Sequence, residues 1–207
     1  TPTGLRDGTV AVQDGRIVAI LPPESEPDSR ETLDAFGAHV LPGAIDIHCH
    51  IRSPAYPNRG SVQSETGAAA KGGITTLFEM PITDPCCNSP ERVALRRDHF
   101  ATRSLTDFGM FAAPVELTEA AFFALRDAGA IALKIFTTAA PPDRDREFAG
   151  LAWPDTEAQM TVVRLGAKAG LFVFVHDENE AFVANTTARA AALDHPCAAT
   201  NRVARPP

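Results

Sequence analysis

The chain has 207 residues, 44% hydrophobic and 22% charged, a globular composition with enough apolar material for one sizeable core. Its 19 basic and 26 acidic side chains leave a net charge of −7. That balance argues against a partner nucleic acid or an anionic membrane surface, whose binders carry a basic footprint. No stretch approaches the roughly 18 apolar residues of a membrane helix, and Thr1-Pro2-Thr3-Gly4 carries no apolar signal-peptide core. The four cysteines, Cys49, Cys86, Cys87 and Cys197, form no C-x-x-C pair, so reduced thiols in a cytoplasmic protein are expected. A start at Thr1 and a close on Arg205-Pro206-Pro207 are expected of a portion of a longer protein.

The first forty residues read as short strands. Two β-rich runs, 9–12 and 16–20, flank Asp14-Gly15, a strong hairpin signal. A Pro-rich loop follows over 21–30, then brief extended runs near 32–33 and 39–41, closed by Pro42-Gly43. From Ala44 the pattern becomes strand, loop, helix, repeated. Strands are predicted at 44–48, 75–79, 108–112, 131–136 and 171–176, and helices at 63–71, 90–102, 118–128 and 155–169. Thr118 fits an N-cap, and Gly129 and Gly170 fall where helix C-caps belong. The strands are near-continuous apolar runs, as in parallel strands covered on both faces.

Successive βα units imply an α/β fold with a parallel sheet. An open doubly wound sheet would usually carry a Gly-rich phosphate loop after its first strand. Here that place holds Ile47-His48-Cys49-His50. Polar, metal-type residues at the C-terminal ends of several strands fit the mouth of a (β/α)8 TIM-type barrel instead. The expectation is such a barrel truncated after about five βα units, over residues 44–207, preceded by strands of a small domain over 1–43.

Three sites carry the chemistry. On a strand the side-chain period is two, so His48 and His50 point to one face and Cys49 to the other. Two imidazoles converging at a strand end suit a divalent metal such as zinc; they also suit a hydrogen-bonded pair with no metal. Lys134 is set in Ala130-Ile131-Ala132-Leu133-Lys134-Ile135-Phe136, one of only three lysines in the chain. Burial drives a lysine toward the neutral amine, which near metal ions can take up carbon dioxide as a carbamate; the alternative is a side chain that snorkels to solvent. His176 ends the apolar run from Leu171 and aims at the same mouth. His39, His99 and His195 are read as exposed or structural. Arg52, two residues past His50, shares its strand-end direction, and its planar fork suits an anionic substrate group or simply solvent.

These residues resemble a known family. Leu41-Pro42-Gly43-Ala44-Ile45-Asp46-Ile47-His48-Cys49-His50-Ile51-Arg52 resembles the opening signature of the cyclic amidohydrolases: dihydroorotase, allantoinase, hydantoinase and dihydropyrimidinase. Gly72-Gly73-Ile74-Thr75-Thr76 with Glu79-Met80-Pro81 is similar to that family's second strand. Ala132-Leu133-Lys134-Ile135-Phe136 resembles the strand bearing its carboxylated lysine, and Val175-His176-Asp177-Glu178-Asn179 its fifth-strand histidine motif. The N-terminal strands resemble part of the small β-sandwich that flanks the family's barrel.

The resemblance implies a metal-dependent hydrolase of cyclic amide bonds, in which a metal-bound hydroxide attacks a ring amide carbonyl of a small-molecule substrate. It implies two divalent metal ions, zinc by default. His48 and His50 would hold one, His176 the other, and Lys134, as a carbamate derived from carbon dioxide, would bridge them. Arg52 would be the substrate-binding residue, an arrangement closer to dihydroorotase than to hydantoinase. A homo-oligomer is expected of the full-length protein. Ile82 stands where dihydroorotases usually have Asn. The family's second histidine for the second metal and its last-strand aspartate find no match, and Asp194 and His195 follow the fifth strand too closely to replace them. The present residues alone are therefore expected to be inactive. Alternatives are a non-catalytic relative acting as a binding or assembly protein, and a zinc hydrolase of another barrel family such as a phosphotriesterase relative, which the residues around Arg52 and Gly72-Gly73 fit less well.

Overall fold

The structure, a computed structural model, describes residues 4–193; Asp194, His195 and Cys197 lie outside them. The chain divides into a unit ending at Pro42 and a unit beginning at Gly43.

In the first unit, β1 (Thr9–Gln13) and β2 (Arg16–Leu21) form an antiparallel hairpin with Thr9 opposite Leu21 and an irregularity between Ala11 and Val12. Asp14 (φ 51°) and Gly15 (φ 72°) both take left-handed conformations. That is the two-residue turn whose twist matches the strands it joins, and the reason Asp-Gly signals a hairpin. The runs at 32–33 and 39–41 do not become strands. Both are exposed throughout, and β propensity alone cannot hold a run that has no ladder partner or buried face.

The second unit alternates strictly. β3 (Ala44–Cys49), α1 (Val62–Lys71), β4 (Ile74–Glu79), α2 (Pro90–Ala101), β5 (Asp107–Ala112), α3 (Glu119–Asp127) and β6 (Ala130–Phe136) come first. The short α4 (Asp145–Phe148), α5 (Thr156–Ala169), β7 (Phe172–His176) and α6 (Glu180–Ala191) follow. Every described α-helix except the four-residue α4 starts on a side-chain cap: Ser61, Ser89, Thr118, Asp155 and Asn179 each accept an N–H from the first turn. Gly170 (φ 72°) ends α5 in the left-handed conformation, and Gly129 (φ 105°) follows the Ala128 cap of α3. Helix α6 goes beyond the predicted elements. Its buried residues are Thr186 and Ala190, so its inner face lacks the large apolar side chains that announce an amphipathic helix.

The five strands β3 to β7 pair in parallel in the order 3-4-5-6-7. A doubly wound sheet reverses its order at a switch point; here each strand lies beside its predecessor. That monotone order is the strand order of a (β/α)8 barrel, and the fold is of that class. The core lies between sheet and helices, where Val93, Phe122, Leu125, Leu133, Ile135 and Val162 cluster. Alternation along β6 sends Leu133 and Ile135 to this layer. Ala132 faces the other side, with Met80, Phe111 and Phe174. Lys134 shares that side by the same alternation. The inner strands meet the expectation of double coverage, but β3 and β7 do not: Ile45, Ile47, Phe172 and Val175 are exposed, since each outer strand of the described sheet has one neighbour.

Candidate metal centre

His48 is the fifth residue of β3 and His50 follows its end. The strand period puts both rings on one side, with Nε2 of His48 and Nε2 of His50 3.2 Å apart. Cys49 turns away and packs with Ile51, Val62, Leu77 and Phe100. The backbone N–H of His48 donates to Asp46 Oδ1 at 3.0 Å.

Both imidazoles are held neutral. Burial lowers the pKa of His48, with Lys134 and His176 pushing the same way and Asp46 opposing. Burial, then Arg52, His48 and Lys134, bring His50 down to about 4. A neutral imidazole is the form that ligates metal. The same influences show that Lys134, three strands away along the sheet, lies within electrostatic reach of both rings. Lys134 itself is 3% exposed, and burial lowers its pKa. Its Nζ stands 5.2 Å from the centre of the Phe136 ring. His176, opposite Phe136 in the β6–β7 ladder, tilts its ring against that same phenyl at 4.6 Å between centroids. Its Nε2 is 3.5 Å from Glu178 Oε2. Thr137 ties the two strand ends together: its N–H donates to the His176 carbonyl at 3.1 Å, and its hydroxyl accepts the Glu178 N–H at 2.8 Å.

The donor set fits a metal. Two nitrogens each about 2.0–2.1 Å from a tetrahedral ion lie about 3.3 Å apart, close to the 3.2 Å between the two Nε2 atoms. Among the described residues, no three His, Cys, Asp or Glu side chains converge on one point. Lys134, whose charge acts on both imidazoles, is a further donor candidate, as a carbamate oxygen.

Arg52 has a left-handed backbone (φ 58°). Its guanidinium pairs with Glu147 Oε2 at 3.7 Å and lies 5.9 Å from the Tyr56 ring centre. Its Nε is buried and has no hydrogen-bond partner among the described residues. His99 donates to or accepts from Ser53 Oγ at 3.1 Å and His39 is exposed, as expected of residues outside the site.

Sequence reasoning passed over two acids. Glu79, at the end of β4, is 1% exposed and pairs with Arg96 of α2. Glu147, on α4, is shared by Arg52 and Arg144. The signal that picked out Lys134, a charged residue within a strand, was also present at Glu79, the last residue of β4.

The Dihydro-orotase-like family profile matches residues 37–138. An L-hydantoinase of Paenarthrobacter aurescens is 29% identical over 182 residues, covering 87% of this chain and 38% of the relative. An allantoinase of Desulfitobacterium hafniense strain Y51 is 30% identical over 211 residues, covering 100% of this chain and 44% of that protein. The solved L-hydantoinase (dihydropyrimidinase) from Arthrobacter aurescens superposes with a TM-score of 0.83 at 28% identity, over 95% of this chain and 43% of that one. The chain thus spans less than half the length of these relatives.

Proposed function

The chain belongs to the cyclic amidohydrolase family, and from that premise we propose that its protein hydrolyses a ring amide C–N bond using two divalent metal ions. His48 and His50 would hold one ion, His176 the other, and Lys134 would bridge them as a carbamate. The observation that carries this reading is the 3.2 Å approach of the two imidazole nitrogens, on the side of the sheet where a buried lysine lies within electrostatic reach.

When bound, the metals supply a lowered pKa for the attacking water and polarisation of the amide carbonyl. The chain's own residues prepare the rest. Burial favours the neutral Lys134 amine, whose lone pair attacks carbon dioxide; the new N–C bond leaves a carbamate and one released proton. Zinc is the default for imidazole nitrogen, and the mixed nitrogen and oxygen set also suits manganese or cobalt. Arg52 is the proposed handle for the substrate, because its buried Nε is a donor still to be used. No helix of the described residues is long and apolar enough to cross a membrane, and Cys49, Cys86 and Cys87 are free thiols; both support a cytoplasmic enzyme.

Elemental analysis of the full-length protein, grown with added zinc, manganese or cobalt, tests the proposal together with ring opening of hydantoin, allantoin and dihydroorotate. Two equivalents of metal and metal-dependent hydrolysis of at least one ring are expected. Less than about half an equivalent, against the tight binding such ligands give, would overturn it.

A further inference from the structure

We propose that Glu79 is a positioning residue for the metal-binding strand end, a reading that rests on the metal site proposed above. Its two carboxylate oxygens divide their work. Oε2 accepts the Ile51 N–H at 2.8 Å, and Oε1 accepts the Arg52 N–H at 2.8 Å. Arg96 completes the arrangement with an ion pair to Oε1. Successive backbone N–H groups, one of them on a residue at φ 58°, form the kind of concavity that binds an anion. Here the anion is a side chain of the neighbouring strand.

The geometry ties this clamp to the metal ligands. Cys49 is opposite Glu79 in the β3–β4 ladder, and the Met80 N–H donates to the Cys49 carbonyl at 2.8 Å. Residues 49, 51 and 52 are thereby fastened to the end of β4 on both sides of His50. Pairing with β4 ends at Cys49, so that ladder does not set the direction in which His50 leaves the strand. The buried carboxylate does so instead, and Arg96, 7% exposed on α2, balances its charge.

Glutamine cannot replace it: one oxygen would face two N–H donors, and its amide would present hydrogens to the other. Aspartate keeps both oxygens but is one methylene short. Outer groups that orient metal ligands typically contribute about 10–100-fold in metal affinity. In the full-length protein, Glu79→Gln and Glu79→Asp should each weaken Co²⁺ binding by at least about tenfold and alter the Co²⁺ absorption spectrum. Amide exchange at Ile51 and Arg52 should accelerate in both. Phe122→Leu, a change in the helix-side core, should lower thermal stability but keep wild-type Co²⁺ affinity and spectrum. Should Glu79→Gln fail to fold, Glu79→Asp carries the test, since it retains the charge beside Arg96. Folded Glu79→Asp protein with wild-type affinity, spectrum and amide protection would overturn the positioning role alone. Wild-type protein that takes up no Co²⁺ would overturn the metal site and this inference with it.

Discussion

Arg52 and Glu147 meet at 3.7 Å across 95 positions of sequence, with side chains only 14% and 16% exposed. The acid on α4 therefore competes for the guanidinium that would receive a substrate carboxylate. Removing it with Glu147→Gln should raise kcat/KM for dihydroorotate relative to uncharged hydantoin, by roughly fivefold if the ion pair is worth about 1 kcal/mol. Adding Arg52→Ala to Glu147→Gln should abolish that gain. The ratio of the two specificity constants, measured for wild type and both variants, decides it; an unchanged ratio in Glu147→Gln would separate Arg52 from substrate binding.

The same acid gives a pH signature. The hydrogen bond from Arg144, then one from Tyr56, holds the Glu147 carboxyl below its ordinary value near 4.5. A carboxylate with a depressed folded value contributes stability that is complete above the unfolded value and disappears as pH falls through the folded one. Wild type should accordingly unfold at a higher temperature than Glu147→Gln at pH 6. The two curves should converge only as pH falls through the depressed folded value, below the ordinary 4.5, where the folded carboxyl is protonated as well. Thermal scans across that range check the sign, and a gap that widens in acid would contradict it.

If Lys134 is the proposed third donor, Lys134→Ala should strip the protein of metal. Short carboxylic acids should restore part of the loading by occupying the space of the missing carbamate. Metal content by elemental analysis, with and without acetate or propionate, is the readout. Full loading in Lys134→Ala would refute the bridging role.

Gly150 lies just beyond α4 at φ 84°, and a Cβ there would sit 2.6 Å from the Pro114 carbonyl oxygen. Its own carbonyl accepts the Trp153 indole N–H at 2.8 Å. Gly150→Ala therefore meets both backbone strain and a backbone clash, and should cost about 1–3 kcal/mol. A urea midpoint within error of wild type would show that the turn can shift without penalty.

Elements set by neighbouring residues were legible in the sequence. Asp14-Gly15 specified its turn through φ, Thr118 is the cap of α3, and the apolar runs from Ala44 to His176 became the five parallel strands in chain order. The alternation of His48, Cys49 and His50 required nothing beyond the strand period. What escaped depends on distance in the chain. Glu79 reaches the Ile51 and Arg52 amides across a helix and a strand, and Glu147 reaches Arg52 from a four-residue helix with no periodicity to read. Helix α6 escaped for a different reason, since alanine and threonine bury a helix face without marking it as apolar.

The outward turn of Cys49 bears on which metals the strand end can discriminate. A thiolate is the softest donor available to a protein and would bias a site toward copper(I) or a permanently closed zinc centre. The pleat sends that sulfur into a hydrophobic cluster with Ile51 and Leu77, where burial first, and the charges of Glu79 and Asp46 after it, push the thiol up to about 11. From this strand end, imidazole nitrogen alone would then face a bound ion. A strand end of that character favours borderline ions that exchange with one another, so the metal recovered from cells should follow supply, and swapping zinc for cobalt or manganese should require no change in the polypeptide.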